Sequence, residues 1–228
     1  CCSFCQRSQT GYIANFGNGE FKQEYKLYQC SNCYLQFWWP LKFVPEFYEK
    51  YLPQHEIATL GSRKLPPYSE LFYKLLPIKS GRLLDVGCGD GVFLEHARNL
   101  GFEVFGIDLD KKCINAAKKH RHLENVYALF LDDFLEIAKN KNLQFDVISF
   151  FDVLEHQDNP RKFLKNIKSL LKEGGYIIGS VPNRERFLSS MDWKVFMGDF
   201  PPPHLTRWAK DALKHFFIKE GLTGIDLY

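Results

Sequence analysis

The run Leu83-Leu84-Asp85-Val86-Gly87-Cys88-Gly89-Asp90-Gly91 decides the fold. Its apolar start reads as a buried strand, three glycines follow at alternate positions, and an apolar-periodic helix pattern begins at once. Glycine permits a tight turn and lets a ligand approach the backbone with no Cβ in the way. The free amides at the start of the next helix then face that ligand. The spacing departs from the dinucleotide fingerprint, in which the last glycine comes three residues after the second rather than two. Asp85 stands two residues before the first glycine, where a carboxylate suits a cationic amino group and opposes a pyrophosphate. A glycine turn without a ligand is the plainer alternative.

Downstream, Phe93, Leu94, Ala97 and Leu100 form a helical stripe that Gly101 ends. Val104 to Asp108 is a second strand, and Asp108, 21 residues after Gly87, is placed to accept from ribose hydroxyls. N-capping the next helix is the competing use for Asp108, although Asp110 is the better cap. A third strand, residues 126–131, leads to Asp132-Asp133-Phe134, and a fourth, residues 145–151, to Asp152-Val153-Leu154-Glu155-His156. Pro160 opens a helix with Phe163, Leu164, Ile167, Leu170 and Leu171 on one face, closed by Gly174-Gly175. Residues 176–181 form strand five and residues 223–228 a sixth. Strands alternating with helices at this spacing predict an α/β fold, a parallel doubly wound Rossmann-like sheet. Such sheets bind ligands at the carboxyl ends of their strands, where Asp85, Asp108, Asp132, Asp133 and Glu155-His156 all fall.

Upstream the chemistry changes. Cys2 and Cys5, like Cys30 and Cys33, are separated by two residues, so two turns each aim two thiolates at one metal and together complete a tetrahedron. Short alternating segments between them predict a zinc ribbon over residues 1–40. Disulfides suit the enzyme pattern downstream poorly. Cys1 competes with Cys2 as a ligand, and Tyr34 stands where a second knuckle often has glycine. About 40 residues bury little core, so structural zinc, worth roughly 10–16 kcal/mol, would dominate local stability. Cys88 and Cys113 read as small buried apolar residues. Residues 41–79 are aromatic and punctuated by proline. Helices are expected over residues 45–52 and 67–76, the latter with Leu71, Phe72, Leu75 and Leu76 on its apolar face, either packed on the main domain or forming a lid.

The 228 residues suffice for one α/β domain with a small appendage. A net charge of +3 is too balanced for a broad nucleic-acid footprint. Lys118-Lys119-His120-Arg121-His122 ends a helix, where it complements the dipole on a solvated face. No apolar run reaches the ~18 residues of a membrane span. The sequence starts at Cys1 rather than Met, so leading residues are expected to be absent from it.

LLDVGCGDG, GIDLD, FDVLEHQDNP and His204-Leu205-Thr206-Arg207-Trp208 resemble the zinc-ribbon-bearing class I S-adenosylmethionine (SAM) methyltransferases of the small-molecule type, and the likeness extends to the ribbon and YEKYLP. The resemblance implies a SAM-binding domain over residues 80–228 with sheet order 3-2-1-4-5-7-6, whose seventh strand is missing from this sequence. It implies SAM contacts from Asp85, Gly87, Cys88, Gly89, Gly91, Asp108, Leu109, Asp132, Asp133, Phe134 and Asp152. Asp132 or Asp133 would receive the adenine amino group, and Phe134 would flank the ring. It also implies a cytoplasmic enzyme with a small-molecule acceptor such as a sugar, with no nucleic-acid or membrane partner. His156, Glu155 and His204 are the expected catalytic residues, as proton acceptors. Asp152, Glu155, His156 and His204 also resemble the metal set of methyltransferases acting on catechols or RNA ends, and a structural role is the third option. Pro201-Pro202-Pro203 reads as a rigid loop, and the apolar residues from Phe187 to Phe196 as a pocket cover or core. An RNA-modifying methyltransferase with the ribbon as its RNA grip is the alternative function, and a SAM-binding protein without turnover the third.

Overall fold

The computed structural model describes residues 10–18, 23–44, 64–186 and 200–228. Cys2, Cys5, the expected helix at 45–52 and the apolar run 187–196 lie outside them. The chain divides into two compact units. One comprises Cys1–Phe47, Leu154–Leu164 and Val181–Tyr228, the other Tyr48–Val153 and Lys165–Ser180.

In chain order the elements are β1 (Thr10–Asn18), β2 (Gln23–Cys30), β3 (Gln36–Trp39), α1 (Pro67–Leu75), β4 (Gly81–Val86), α2 (Val92–Asn99), β5 (Phe102–Asp108) and α3 (Lys111–Arg121). There follow β6 (Val126–Ala128), α4 (Leu131–Asn140), β7 (Phe145–Phe151), a 3-10 turn (Leu154–His156), α5 (Pro160–Leu170), β8 (Leu171–Ser180), β9 (Thr206–Arg207) and α6 (Lys210–Lys219).

The second unit is built on a parallel sheet of order β6-β5-β4-β7-β8. This is the expected 3-2-1-4-5 succession, with the glycine-loop strand at its centre. Leu83 and Leu84 of β4 are fully buried, as a strand covered on both faces requires. Leu83, Leu94, Ala97, Val126 and Val147 belong to one core cluster. Each buried aliphatic side chain contributes about 1.5–3 kcal/mol. Asp110 caps α3 by accepting from the Lys112 amide at 2.6 Å. Tyr73 of α1 stacks on Phe93 with centroids 4.7 Å apart and donates its hydroxyl to the Phe93 carbonyl at 2.7 Å. The buried face of α1 is therefore Ser69 and Tyr73, continued by Leu76 just past its end, and Leu71 and Leu75 are exposed, a rotation from the expected stripe.

Three boundaries differ from expectation. The third strand ends at Ala128, and Asp132 and Asp133 occupy the first turn of α4, where carboxylates complement the helix dipole. The helix opened by Pro160 closes at Leu170, before the glycines. Gly174 and Gly175 lie inside β8, which bulges between the pairs Phe145↔Leu171 and Val147↔Tyr176, with Gly174 at φ 73°. Residues 223–228 form no strand. Gly224 at φ 62° interrupts their alternation, and the sheet stops at five strands among the described residues.

The first unit carries an antiparallel sheet of order β1-β2-β3-β9. Tyr25, Leu27, Trp38 and Phe200 form its core cluster, with Phe16 stacked on Phe200 at 5.1 Å. No helix among the described residues is long and apolar enough to cross a membrane.

Candidate functional site

The glycine loop hangs from β5. The Gly87 and Cys88 amides donate to the Ile107 carbonyl at 2.8 and 3.0 Å. Gly87, Gly89 and Gly91 all take left-handed φ angles (79°, 53° and 78°), a region that penalises any residue with a Cβ. A Cβ on Gly87 would lie 2.5 Å from Val153, and one on Gly91 2.4 Å from Leu123, whereas one on Gly89 meets nothing within 4 Å among the described residues. The loop is thus packed behind Gly87 and Gly91 and open at Gly89. Gly91 is the N-cap of α2 and brings no side chain to its first amides.

Asp108 closes the loop. Its Oδ2 accepts from the Gly89 amide and its Oδ1 from the Asp110 amide, each at 2.8 Å. A carboxylate has about four lone-pair sites, so two bonds leave capacity for hydroxyl donors. Burial pushes its pKa above the usual carboxylate value, against the pull of those amides. Asp85 is 2% exposed, and Ser149 donates its hydroxyl to Oδ1 at 2.7 Å. Burial pushes the Asp85 carboxyl up to about 7, the Ser149 bond opposes this, and Asp108 adds to it. A cation beside this pair would lower both values.

In the other unit Glu155, His156 and His204 converge. Glu155 is 1% exposed, and its Oε1 lies 3.9 Å from His156 Nε2 and 4.0 Å from His204 Nε2. One ligand atom from each lies within 4.8 Å of the others. His156 Nδ1 is 2.8 Å from the Pro203 carbonyl oxygen, which accepts only, so Nδ1 carries a proton and Nε2 faces the carboxylate. A lone pair facing a carboxylate is stable with a proton or a cation between them. The group is held from behind, because the Leu205 amide donates to the Glu155 carbonyl at 2.8 Å.

The family model described as "Methyltransferase domain" matches residues 54–227. The chain belongs to the class I SAM-dependent methyltransferases. It is 32% identical over 109 residues to a ubiquinone biosynthesis O-methyltransferase of Coxiella burnetii, covering 48% of this chain and 47% of that protein. It is 31% identical over 157 residues to the protein of the same name from Cereibacter sphaeroides, covering 66% and 64%. The chain thus spans from about half to under two thirds of the length of these curated relatives. A SAM-dependent methyltransferase structure from Thermotoga maritima superposes with TM-score 0.58 at 21% identity, covering 78% of this chain and 81% of that one. One from Archaeoglobus fulgidus gives 0.56 at 22%, covering 70% and 69%. The two superpositions establish the fold.

The residues of this methyltransferase domain fit SAM. The space over Gly89, the acceptor capacity of Asp108 and the buried Asp85 carboxylate match a ligand with hydroxyls and an ammonium group. Leu109, next to Asp108, is exposed. Cys88 is buried against Gly106, so its backbone faces the loop while its thiol packs inward. Asp132 and Asp133 are exposed, and Asp132 accepts from Asn166 at 2.5 Å. Phe134 is fully buried beside Tyr127 and Phe145, so its ring belongs to the core instead of flanking a ligand, because a helix that starts at Leu131 turns it inward. The exposed aromatic at that end is Phe130, the N-cap of α4. Asp152 follows β7 directly, at φ 52°, and accepts from the Ser180 hydroxyl at 2.9 Å. Aspartate tolerates the left-handed region better than most residues, and strain of this kind gathers at functional sites.

Two residues of the cradle escaped the sequence reading. Ser149 orients Asp85 from a neighbouring strand. Arg121, taken there for part of a solvated basic face, is 4% exposed. Its Nε donates to the Asp90 carbonyl at 2.8 Å, Nη2 reaches the Asp90 carboxylate at 3.2 Å, and Nη1 bonds Glu95 at 2.5 Å. The end of α3 therefore clamps the glycine loop. The available signal was the helical register: Cys113, Ala117 and Arg121 share one face of α3, and all three are buried.

Proposed function

We propose that this protein transfers the methyl group of SAM to a hydroxyl of a small-molecule acceptor. The observation that carries the reading is the three left-handed glycines lying between the Asp85–Ser149 pair and Asp108. The name of the curated relatives, O-methyltransferases of ubiquinone biosynthesis, supports an oxygen acceptor on a small molecule. Asp85 takes the ammonium group, Asp108 the ribose hydroxyls, and the amides of Gly87, Cys88, Gly89 and Gly91 line the loop. Leu109, with Asp132 or Asp133, borders the adenine, and Asp152 completes the set. When bound, SAM supplies an electrophilic methyl on a sulfonium. The chain holds and orients both partners and excludes water. The acceptor hydroxyl loses its proton as its oxygen bonds the methyl carbon. His156 Nε2 receives that proton while Nδ1–H stays on the Pro203 carbonyl, and Glu155 balances the imidazolium.

The convergence of Glu155, His156 and His204 favours a second reading of the same group, in which the carboxylate and two imidazoles hold a divalent cation. At the amino terminus, Cys2, Cys5, Cys30 and Cys33 bind structural zinc in a ribbon over residues 1–40, followed by a helical segment to 79 and the SAM-binding domain over 80–228. The described half of that ribbon supports this. Cys30 ends β2 and Cys33 lies in the turn beyond it, the Asn32 amide points at the Cys30 sulfur at 3.4 Å, and Tyr34 takes the left-handed φ of 58° that glycine would favour. Reduced thiols at these positions suit a cytoplasmic protein.

The deciding experiment offers methyl-labelled SAM with a total small-molecule fraction and, separately, with total RNA. Label in the small-molecule fraction is expected. Label in RNA alone would overturn the acceptor class, and tight SAM binding with no transfer to either would leave a binding protein.

A further inference from the structure

The unit built on the parallel sheet holds a second concavity, at the opposite end of the strands from the glycine loop. Lys79 precedes β4 and Phe102 begins β5, whereas Val86 and Asp108 end the same strands at the cofactor cradle. The cavity, about 500 Å³ in volume, opens between α1 and α2. Its size is that of many small-molecule sites.

The lining is apolar with a few charges. Tyr73 and Phe102 are buried, and Leu100, the C-cap of α2, is an exposed apolar wall. Glu70 and Lys74 stand one turn apart on α1, in the order that lets them balance each other. Lys79 is the charge left over. Its Nζ donates to the Tyr73 and Leu76 carbonyls at 2.7 and 2.8 Å and so caps α1. An ammonium has three donors, and the third meets no acceptor among the described residues. A helix C-terminus carries only about half a negative charge, so much of the lysine charge remains. An apolar hollow with one fixed cation and one vacant donor suits a compact apolar body that bears a single carboxylate.

Tyr73 belongs to both this cavity and the cofactor cradle. Its ring lies 4.7 Å from that of Phe93 and 4.9 Å from that of His96, another lining residue, and its hydroxyl bonds the Phe93 carbonyl at 2.7 Å. Phe93 stands in the first turn of α2, whose N-cap is Gly91 of the glycine loop. Burial, and then the charge of Asp85, push the Tyr73 hydroxyl above the usual phenol value, so the two groups are within electrostatic reach. A guest resting on Tyr73 favours the seated position of its ring, and with it the first turn of α2. Such a preference for one arrangement is what lets a ligand shift an equilibrium.

We propose that this cavity is an effector site for a compact apolar monocarboxylate, and that its occupancy tightens cofactor binding through Tyr73. The inference requires the cofactor alone and is independent of which acceptor is methylated.

Crystals of the intact protein with S-adenosylhomocysteine are soaked in para-bromobenzoate or para-bromobenzamide, and anomalous diffraction locates the bromine. Calorimetry measures both compounds in solution. A bromine peak between α1 and α2 is expected with the carboxylate, with saturable binding at least about fivefold tighter than that of the amide. S-adenosylhomocysteine should bind about fivefold tighter when the carboxylate is saturating, and the carboxylate should gain the same factor from S-adenosylhomocysteine. No peak in the cavity, a peak there without saturable binding in solution, equal binding of the amide, or S-adenosylhomocysteine affinity indifferent to the carboxylate overturns the proposal. All of these are read on the unaltered protein. Two variants add to them: Lys79→Gln should weaken the carboxylate about 5- to 20-fold. Leu100→Glu, which adds a negative charge to the wall and leaves the α1 cap intact, should abolish carboxylate binding and keep S-adenosylhomocysteine affinity. Carboxylate binding unchanged in both variants also counts against the cavity. Methyl transfer by a protein whose cavity stays empty sinks the effector site and spares the methyl-transfer reading, whereas failure to bind S-adenosylhomocysteine overturns both.

Discussion

Asp85→Asn is expected to stabilise the cofactor-free protein at alkaline pH while crippling cofactor binding. The carboxyl is 2% exposed and burial pushes it up to about 7, against about 3.9 in an unfolded chain. Because the folded pKa is the higher one, the folded state holds the proton more tightly. The contribution of Asp85 to stability is complete below about pH 4 and is lost as pH rises through about 7. At about 1.4 kcal/mol per pKa unit, the ionised carboxylate costs the empty protein on the order of 4 kcal/mol at pH 8. Asparagine cannot ionise and still accepts from Ser149. For a chain of this size, 2–4 °C per kcal/mol translates the cost into a melting midpoint roughly 8–16 °C higher for the variant at pH 8, with little gap at pH 4. Affinity for S-adenosylhomocysteine should fall by more than about tenfold, since a charge-assisted bond worth about 1.5–3 kcal/mol is lost. Thermal scans from pH 4 to 8 and calorimetric titrations measure both. A midpoint gap that stays flat across that range would refute the reasoning, because Asp85 would then not be titrating.

Arg121→Met withdraws a guanidinium from a buried carboxylate, which typically costs about 3–5 kcal/mol. Cofactor affinity should weaken more than saturated turnover, and Asp90→Asn in the same chain should recover part of the stability; additive losses in the double-mutant cycle would reject the clamp. One zinc per chain is expected by metal analysis, and Cys33→Ser should lower that content; four freely titratable thiols in the native protein would reject the ribbon. His156→Ala should lower turnover by roughly 10²–10⁴-fold with cofactor affinity barely changed. If chelation abolishes wild-type activity and divalent metal restores it, the metal reading of Glu155, His156 and His204 replaces the proton-acceptor one; full turnover in the variant removes both.

What could be read from the sequence was local. Gly87, Gly89 and Gly91 announce their left-handed backbone by being glycine, and Asp108 announces the end of β5 by following an apolar run. Ser149 and Arg121 stayed hidden because their partners, Asp85 and Asp90, lie 64 and 31 residues away, and hydropathy carries no trace of such a contact. Phe134 was misplaced by the onset of α4, since one helical turn carries a side chain from pocket wall to core. Residues 223–228 alternate as a strand should, but alternation describes a face and cannot supply a neighbour to pair with. Glu155 and His156 stood out as a polar pair after an apolar strand, and His204 joins them through the chain reversal that seats Leu205 on the Glu155 carbonyl.

The pairing of Gln36 with Arg207 sets a schedule for synthesis. The hairpin of β1 and β2 is translated before any strand of the parallel sheet, yet the strand that completes its own sheet comes 171 residues after its partner. At 5–20 residues per second, β3 waits about ten to thirty seconds for β9 with one edge open. During that interval the whole parallel sheet has been made and can close on itself. The β1-β2-β3-β9 sheet is therefore completed after the parallel sheet, and its β3 edge is open to misassociation when translation stalls between residues 180 and 206.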